Sequence, residues 1–416
     1  MADVRPLAAL HYDLAAVGAL ENVVAPPYDV IDAAQRAALL SRSPFNVVEI
    51  DLPQAGEGSD PYTHAADTIE EWRLEGILRA DREPALWALT QEFAAPDGGR
   101  RSRHAILARV GVEDYGPGRV RPHERTQPGP KQDRLDLARA TRHNLSPIFS
   151  LTSRDAWPLI EPAMSGEPWG EVNDDDGTVH RLWRVADPEV HAAVAQELAG
   201  TELLIADGHH RYETARAYRD EVGGEGAHRF TLMALTGLED PGLTVFPTHR
   251  LLSGFAEDPD RQQRLRDGVL ELFEAEEADE LDPAGEDGPG VFGYVDAHHR
   301  KPYRLHLRDT AELDRRLAGK PDAYRRLDAV ILETLVLNGV LEMSEEDIAA
   351  KRGIGYAKSV EEVMAMLDGP FDAAFVLRPT PVEQVREVAA AGETMPPKST
   401  YFFPKLLSGL LFNPLS

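Results

Sequence analysis

The sequence feature that most constrains the fold is a short apolar run that leads through a glycine into a helical pattern. The run Leu203–Ala206 is long enough for one buried strand, and Asp207 and Gly208 follow it as a turn. The next residues place apolar side chains on one helical stripe, and Gly223 ends that pattern. The pattern therefore predicts a strand, a tight turn and a helix in immediate succession.

Positive charge is concentrated at the start of this helix, where His209, His210 and Arg211 follow one another. The first N–H groups of a helix have no partner within the helix, and the helix dipole is positive at that end. Cations are unfavourable there unless an anion binds between them. The turn therefore predicts an anion site, most naturally for a phosphate group.

Length and composition limit the classes of protein to consider. The chain has 416 residues, which predicts two or three domains. Its net charge of −27 argues against nucleic-acid and anionic-membrane partners, although a local basic pocket remains compatible with it. With no cysteine, the chain has no disulfide, thiolate nucleophile or cysteine zinc site. No apolar run approaches the roughly 18 residues of a membrane span, so we expect a cytoplasmic protein.

The alternation of strand and helix patterns predicts a mixed α/β (α+β) fold with several layers of mixed sheets. We expect an N-terminal α/β region over residues 1–115, a phosphate-binding core over 116–240 and a C-terminal α/β region over 241–416. The tail, residues 392–411, is expected to dock back on the core, because it is too apolar and aromatic for a frayed chain end.

Local patterns predict several individual elements. Asp32 is expected to cap a helix, Asn46–Leu52 to form a strand, and the turn Pro96–Gly99 to close a hairpin. Pro128–Pro130 is expected to exclude regular structure before a helix at Lys131–His143. Further on, Arg325–Leu337 is predicted to form one apolar helix.

Two other polar segments are candidates for the anion site. The segment from Arg121 to Leu151 is rich in polar and basic side chains, among them His123, Glu124, Arg125, Thr126, Lys131 and Arg134. The C-terminal segment places Lys398, Ser399 and Thr400 next to rigid prolines. Both can supply phosphate donors; the alternatives are a solvated charged helix for the first and a packed tail with a snorkelling lysine for the second.

Three other patterns carry less chemistry. The acidic turn Asn173–Gly177 lacks the carboxylate that completes a calcium loop, and the alternation that follows it predicts a hairpin turn. A second His-His-Arg run, His298–Arg300, leads into no helix and is predicted to form an exposed hairpin tip. The adjacent His209 and His210 point about a quarter-turn apart on a helix, which disfavours joint metal ligation.

Four motifs together resemble a bacterial and archaeal family known as domain of unknown function 1015. They are Ala25–Val30, His123–Thr126, Ala206–Tyr212 and Met395–Thr400, and the resemblance spans essentially the whole chain. The family name carries no activity.

A strand followed by Asp-Gly-His-His-Arg and a helix also resembles, more distantly, the phosphate-binding turn of the ParB/sulfiredoxin superfamily. That superfamily includes nucleotide-hydrolysing partition proteins and free L-serine kinases that use ADP or ATP. The resemblance implies a core of this type in the middle of the chain, with Glu124 matching the glutamate that acts as base in the serine kinases. The interval from Ile148 to Asp207 is longer here than in small members of the superfamily, and the missing cysteine excludes the sulfiredoxin reaction.

The expected function is therefore a nucleotide-dependent small-molecule phosphotransferase, with free L-serine as one acceptor and ATP or ADP with Mg²⁺ as cofactors. Candidate catalytic residues are Glu124, Asp207 and His210, with Asp207 also the candidate Mg²⁺ ligand. The residues expected to bind the nucleotide or its phosphates are Thr126, Lys131, Arg134, Gly208, His209, His210, Arg211, Lys398, Ser399 and Thr400.

Two other functions remain open from the sequence. One is a nucleotide-binding regulator with slow or no hydrolysis, and the other is a phosphatase or hydrolase of a phosphorylated metabolite, with His209 or His210 as general acid. In each case the partners are small molecules rather than nucleic acid or membrane. The oligomeric state is not determined by these patterns.

Overall fold

The structure is a computed structural model that describes residues 2–54, 56, 58–95, 98–124, 126, 128–396 and 398–416. Its contacts divide the chain into two compact units. Unit 1 is Met1–Pro122, Thr126–Thr244 and Pro404–Ser416, and unit 2 is His123–Arg125 and Val245–Phe403. Each unit is therefore assembled from segments that are distant in sequence.

Unit 1 contains helices and strands in alternation. Its strands are β1 Val4–Arg5, β2 Leu10–Tyr12, β3 Leu78–Ala80, β4 Leu86–Ala94, β5 Arg100–Gly111, β6 Val120–Arg121, β7 His143–Asn144, β8 Ile148–Thr152, β9 Gly170–Asn173, β10 Val179–Val185, β11 Leu203–Asp207, β12 Phe230–Gly237 and, near the C-terminus, β21 Asn413–Pro414. Its α-helices are α1 Leu14–Val17, α2 Ala33–Arg42, α3 Val48–Asp51, α4 Pro61–Leu74, α5 Pro128–Thr141, α6 Trp157–Ile160, α7 Pro188–Leu198 and α8 His209–Val222. Short 3₁₀ helices lie at Leu20–Asn22, Tyr28–Val30, Glu161–Ala163 and Ala227–Arg229.

The long segment of unit 2, Val245–Phe403, begins within β13, whose first residue belongs to unit 1. Its strands are β13 Thr244–Phe246, β14 His249–Ser253, β15 Phe273–Glu277, β16 Val291–Asp296, β17 Tyr303–Leu307, β18 Ile354–Ala357, β19 Phe371–Val376 and β20 Tyr401–Phe403. Its α-helices are α9 Pro259–Leu272, α10 Ala311–Arg316, α11 Asp322–Arg325, α12 Asp328–Leu332, α13 Glu345–Ala349, α14 Val360–Met366 and α15 Val382–Ala390, and a π-helix occupies Glu333–Val340.

The main sheet of unit 1 has nine strands in the order β6-β11-β8-β12-β5-β4-β10-β9, with β1 paired to β5. Strands β6 and β11 are parallel, as are β8 and β12, and the other neighbouring pairs are antiparallel. A core of buried apolar side chains from strands β4, β5, β8, β11 and β12 and from helices α7 and α8 covers this sheet. The mixed α/β class predicted from the sequence is confirmed.

The expected boundary near residue 115 falls between elements of one sheet. Strands β4 and β5 come from the first expected region, and β8, β11 and β12 come from the second. The contacts therefore group the first two expected regions, except His123–Arg125, in unit 1 together with Pro404–Ser416. The division into three regions remains a prediction.

Both hairpins predicted in this part of the chain are present. Strand β4 pairs with β5 in the register Ala88↔Ile106, and β9 pairs with β10 across the acidic turn that follows Asn173. The turn residues Pro96 and Asp97 lie outside the described residues. The acidic turn closes a hairpin, as predicted, and Asp174 holds it by accepting the backbone N–H of Thr178 at 2.8 Å.

Two local predictions in unit 1 are wrong. Asn46–Leu52 contains helix α3 instead of a strand, because the side chain of the buried Asn46 accepts the Val48 N–H at the start of that helix. Helix α5 begins at Pro128 instead of Lys131. Proline lacks only an N–H that the first turn of a helix does not use, so this segment begins the helix instead of preceding it.

The main sheet of unit 2 has six strands in the order β15-β17-β16-β19-β14-β18, all antiparallel. Buried side chains of α9, α12 and the π-helix pack on it as one apolar core. The predicted single helix over Arg325–Leu337 is interrupted after Arg325, the last residue of α11, and resumes at Asp328 as α12. Helix α12 runs directly into the π-helix, which loses the i→i−4 hydrogen-bond pattern from Glu333 onward. The tip His298–Arg300 is an exposed turn between β16 and β17, as predicted.

His249 is an uncharged part of the unit 2 core. It begins β14 and is 2% exposed, and its Nδ1 accepts the backbone N–H of Leu377 at 3.1 Å. Burial lowers the pKa of His249 to about 4, with the nearby guanidinium of Arg250 acting in the same direction. The folded chain therefore keeps this imidazole neutral where the unfolded chain protonates it.

We predict that acid destabilises the protein through His249. Since the unfolded chain takes up the proton at the higher pH, stability is unaffected above pH 6.5 and falls by up to about 3 kcal/mol as the pH drops from 6.5 to about 4. The His249→Asn variant keeps an acceptor for Leu377 N–H and cannot titrate. Chemical denaturation at several pH values should show the wild type losing stability relative to this variant; parallel curves would contradict the prediction.

Candidate functional site

The predicted strand, turn and helix are present in unit 1 as β11, Gly208 and α8. Gly208 is the N-cap of the helix with φ 96° and ψ 29°, a left-handed conformation that favours glycine. The first intrahelical hydrogen bond runs from Tyr212 N to Gly208 O at 3.0 Å. The amides of residues 209–211 precede that bond and are directed out of the helix end, as an anion site requires.

Arg211 folds back over the glycine of the turn. A Cβ atom added to Gly208 would lie 3.0 Å from the Arg211 Nε. The guanidinium donates to the carbonyl of Pro147 and faces the Asp207 carboxylate, with 3.4 Å between NH2 and Oδ2. Its buried Nε has no hydrogen-bond partner within the part of the chain that the structure describes. The turn therefore fixes a guanidinium whose donors are only partly used.

Asp207 lies between two cations. Its Oδ2 faces Arg211, and its Oδ1 lies 3.6 Å from the ammonium of Lys405. The strand is bulged between Ile205 and Asp207, which changes the direction of its last side chain. Sequence analysis missed Lys405 as a site residue, because no local pattern connects it to a turn so far away along the chain. Its position in a rigid, aromatic tail was the only signal available.

The motif Ala25–Val30 contributes Tyr28 to the same region of unit 1. Burial raises the pKa of Tyr28 to about 12, while Arg211 and Arg134 are close enough to act in the opposite direction. The Arg134 guanidinium lies over the Tyr28 ring, 4.3 Å from its centroid. Two of the four motifs, Ala25–Val30 and Ala206–Tyr212, therefore come together in this unit.

Arg134 and Lys131, both predicted to bind phosphate, lie on α5 with protein partners. Arg134 is 6% exposed; it donates to the Asp51 carboxylate at 3.0 Å and forms an ion pair with Asp133 at 2.7 Å. Burial would lower the pKa of Arg134, but the two carboxylates outweigh it and raise that pKa above its ordinary value. Lys131 pairs with Glu213 of α8 at 3.2 Å. Phosphate binding by either residue remains a prediction.

We predict that Arg134→Met lowers the stability of the protein. Asp51 is buried, so removing its cation leaves an unpaired carboxylate and should cost about 3–5 kcal/mol of unfolding free energy. The double variant Asp51→Asn with Arg134→Met should recover part of that loss. Chemical denaturation measures both; a stable Arg134→Met protein that has lost only anion binding would contradict this and restore Arg134 as a ligand.

The other predicted site residues of unit 1 are His209 and His210 in the turn and Thr126 before α5. His209 is the first residue of α8 and is buried, and His210, the second, is half-buried. Thr126 is half-buried in the segment before α5. Among the described residues, no group of three or more His, Asp or Glu side chains can hold a metal ion by itself. Asp207 fits instead the single carboxylate that Mg²⁺ often takes alongside phosphate oxygens.

The other two motifs meet in unit 2, through His123 and Glu124 of the first and Met395 of the second. Glu124 forms a parallel β-bridge with Met395, and the Met395 N–H donates to the His123 carbonyl at 2.6 Å. Glu124 Oε1 accepts the Lys398 N–H at 3.2 Å, and Lys398 has a left-handed φ of 60°. Glu124 and Lys398, predicted from separate segments, are therefore neighbours. Arg125 and Pro397 of these motifs lie outside the described residues.

The hydroxyls of the C-terminal motif have partners within unit 2. Ser399 Oγ donates to the carbonyl of Pro396 at 2.7 Å, and this serine is buried. Thr400 Oγ1 lies 2.9 Å from Nε2 of His123, so it too is part of the link between the two motifs. Their predicted role as phosphate donors is untested, and these contacts show what holds the segment in its present conformation.

Arg250 is a buried cation of unit 2. It is 3% exposed, its guanidinium lies 4.8 Å from the centroid of the Tyr356 ring, and its NH2 has no hydrogen-bond partner among the described residues. Burial lowers the pKa of Arg250, and Tyr356, Glu333 and Glu124 oppose that shift. Glu124 is therefore close enough to a fixed positive charge to interact with it.

We predict that Gly208→Ala weakens anion binding by the turn. The new methyl group would push the Arg211 guanidinium away and strain a backbone with φ 96°. Pyrophosphate affinity, measured by calorimetry, should fall by at least about tenfold. Gly223→Ala is the matched control, since Gly223 ends the same helix with φ 65° and no atom lies within 4 Å of its added Cβ. The control should lose about 1 kcal/mol of stability and keep its affinity; equal affinity in both variants would contradict the prediction.

Comparison with known protein families identifies the family of the chain. Residues 4–330 match the model of a protein family of unknown function, DUF1015. The chain belongs to this family. The match covers most of unit 1 and the first part of unit 2, and it confirms the family expected from the motifs. Three of the four motifs lie within the match, whereas Met395–Thr400 lies beyond it, so the match is shorter than the whole-chain resemblance that was expected. No curated protein matches the chain.

Several solved structures are similar to the chain at low identity. A conserved hypothetical protein from Pyrococcus furiosus shares 16% identity over 69% of this chain and 88% of its own, with a TM-score of 0.35. A free serine kinase in complex with AMP shares 16% identity over 68% and 83%, with a TM-score of 0.35. SbnI with a C-terminal truncation, from Staphylococcus aureus, shares 11% identity over 73% and 85%, with a TM-score of 0.36. Family membership is therefore the stronger relationship.

In the part of the chain that the structure describes, no helix combines the length and apolarity needed to cross a membrane.

Proposed function

We propose that the protein is a nucleotide-dependent phosphotransferase acting on a small hydroxylated metabolite, with free L-serine as the first acceptor to test. The observation that carries this proposal is the turn from β11 to α8. There, a left-handed glycine directs the first amides of the helix outward beside a guanidinium and a carboxylate. Such a turn is suited to the terminal phosphates of a nucleotide.

Phosphoryl transfer depends mainly on positioning and on compensating the charge of the transferred group. In this proposal the amides of residues 208–211 and the Arg211 side chain hold the nucleotide phosphates. Arg211 is held in place by the Pro147 carbonyl and by Asp207, so it does not have to be ordered when the nucleotide binds. His209 and His210 remain candidate phosphate donors, and Lys131, Thr126 and Lys398 remain predicted contributors.

Asp207 is the proposed carboxylate for a magnesium ion shared with the nucleotide. Its Oδ2 lies 3.4 Å from Arg211 and its Oδ1 lies 3.6 Å from Lys405, so the carboxylate stands beside the two side chains that would face the phosphates. When bound, the metal ion would supply charge neutralisation for the phosphates. The residues present fit such a shared ion, because one carboxylate together with phosphate oxygens is a common magnesium environment.

Glu124 is the proposed base toward the acceptor hydroxyl, since it occupies the position that matches the catalytic glutamate in the ParB/sulfiredoxin resemblance. Within unit 2 its carboxylate is held by the Lys398 N–H and lies in the field of Arg250. In the reaction, the acceptor oxygen would form a bond to the terminal phosphorus as the nucleotide oxygen leaves. The hydroxyl proton would pass to Glu124.

The direct test is to incubate the protein with Mg²⁺, L-serine and either ATP or ADP and to measure phosphoserine and the nucleotide product. We expect phosphoserine to form in proportion to the nucleotide consumed. Release of inorganic phosphate from a phosphoester panel without nucleotide would favour a hydrolase instead. Nucleotide binding without turnover, across a panel of hydroxylated amino acids and other small alcohols, would favour a regulator.

Glu124→Gln is the variant that tests the base within this assay. It keeps an acceptor for the Lys398 N–H and removes the proton acceptor, so turnover should fall by about a hundredfold or more with nucleotide affinity unchanged. Glu92→Gln serves as control, since Glu92 pairs with Arg181 outside this site. Equal turnover by Glu124→Gln and the wild type would remove Glu124 from the mechanism.

A further inference from the structure

A row of buried polar side chains crosses the main sheet of unit 1. His180 of β10 is directly opposite Gln91 of β4, and Gln91 is directly opposite Arg103 of β5. All three side chains are fully buried, at 0% exposure. The middle of a sheet is normally filled with apolar side chains, because a buried polar group is costly unless it is hydrogen-bonded. The row therefore requires an explanation beyond packing.

Each member of the row fixes the next. Asp174, in the turn after β9, lies 2.8 Å from His180 Nε2, so this nitrogen carries the proton and Nδ1 is left as an acceptor. His180 Nδ1 is 3.2 Å from the Gln91 amide nitrogen, which orients the Gln91 oxygen toward Arg103. That oxygen accepts from Arg103 Nε at 3.0 Å. The direction of every hydrogen bond is thus set from the outer end of the row.

The row ends on the tail that carries Lys405. Arg103 NH2 donates to the Pro404 carbonyl, and the Gln91 amide donates to the Lys405 carbonyl at 3.2 Å. The backbone carbonyls of Pro404 and Lys405 are therefore both held by hydrogen bonds from the row. The Lys405 ammonium then lies 3.6 Å from the Asp207 carboxylate. A flexible four-carbon side chain reaches its partner more reliably when its backbone is held on both sides.

Arg103 also connects the row to the turn directly. Its guanidinium lies 4.3 Å from the centroid of the Phe149 ring, and Phe149 is paired with Asp207 between β8 and β11. Burial lowers the pKa of Arg103 to about 9, and Asp240 and Asp207 oppose that shift, so the Asp207 carboxylate is within electrostatic reach. The NH1 group of Arg103 has no hydrogen-bond partner within the described residues. The row thus keeps a second fixed cation close to the site.

We propose that Lys405 is a further phosphate-binding residue of the turn at Asp207–Arg211, and that Asp174, His180, Gln91 and Arg103 are positioning residues for it. This inference rests on the proposed function, because it concerns the same anion site. The ligand class is the polyphosphate of a nucleotide, whose charge would draw the Lys405 ammonium from the carboxylate onto a phosphate oxygen. No chemistry is assigned to the row itself, which acts only through the position of Lys405.

Three variants separate the two parts of the proposal. Lys405→Met keeps the aliphatic stem and removes the charge. Gln91→Glu keeps the acceptor for Arg103 and removes the N–H that holds the Lys405 carbonyl. Asp174→Asn acts at the opposite end of the row, leaves the Arg103 pair intact and serves where Gln91→Glu fails to fold. The matched control is Glu92→Gln, the neighbouring position on β4, where the side chain pairs with Arg181 instead of the row.

Two readouts are measured on each folded variant of the full chain. One is the dissociation constant of ADP by calorimetry. The other is the NMR signal of the Lys405 ammonium side chain after reductive ¹³C-methylation, assigned with Lys405→Arg. We expect Lys405→Met to weaken ADP binding by about tenfold or more, with Gln91→Glu and Asp174→Asn weakening it in the same direction and shifting the Lys405 signal. Glu92→Gln should change neither readout.

The outcomes distinguish this inference from the proposed function. ADP binding that is unchanged in Lys405→Met would overturn the role of Lys405 and leave the phosphotransferase proposal standing. A wild-type protein that binds no nucleotide would remove the phosphate-binding part together with the proposed function. The NMR signal then decides the positioning part alone: a Lys405 signal that is identical in the wild type, Asp174→Asn and Gln91→Glu would refute it.

Discussion

One carboxylate facing two cations is the interaction on which the candidate site depends. Asp207 is at the end of a buried strand, Arg211 follows it in the first turn of a helix, and Lys405 approaches from the C-terminal tail. Without Asp207, two positive side chains would lie beside the positive end of a helix dipole. The carboxylate balances that charge in the free protein, and an arriving anion would take over the same function.

Two other buried cations of unit 1 are also held by polar partners. Arg134 is neutralised by Asp51, and Ser408 of the tail donates to the same carboxylate at 3.0 Å. Arg103 is held differently, since Gln91 and the Pro404 carbonyl accept its hydrogen bonds. Such groups contribute less to stability than apolar ones of equal size, but each accepts only a narrow range of geometries. They make the position of the tail specific.

Sequence patterns predicted the local parts of this structure well, because the signals are local. The strand, Gly208 and the helix that follows needed only an apolar run, a glycine and a helical stripe, and Asp32 was identified as a helix cap by its type and position. The strand predicted at Asn46–Leu52 failed since the hydrogen bond that starts α3 comes from the Asn46 side chain. The prediction that Pro128–Pro130 precedes the helix was wrong because proline, which disrupts the interior of a helix, is accepted in its first turn.

The contacts of the candidate residues within each unit were predictable only in part, because several of them join distant segments of the sequence. Composition and spacing identified Glu124 and Lys398 separately. Nothing in either segment indicates that the Glu124 carboxylate accepts the Lys398 N–H. The pairing of Asp207 with Lys405 and the row through Gln91 are set by strand order, which a single sequence does not display. In the sequence, His180 is one polar residue of an alternating strand, and its pairing with Gln91 is known only from the structure.

The interleaving of the two units has a consequence for how the protein can be cut. The family match ends at residue 330, yet unit 1 is completed by Pro404–Ser416, where Leu406, Leu407, Leu410, Leu411 and Phe412 are buried. A recombinant fragment that stops at the family boundary would lack these side chains and would expose the apolar surface that they cover. Truncation at a single position therefore does not isolate unit 1, because its residues come from separate stretches of the sequence. A circularly permuted chain, in which the tail is joined to residue 2, would keep these stretches together.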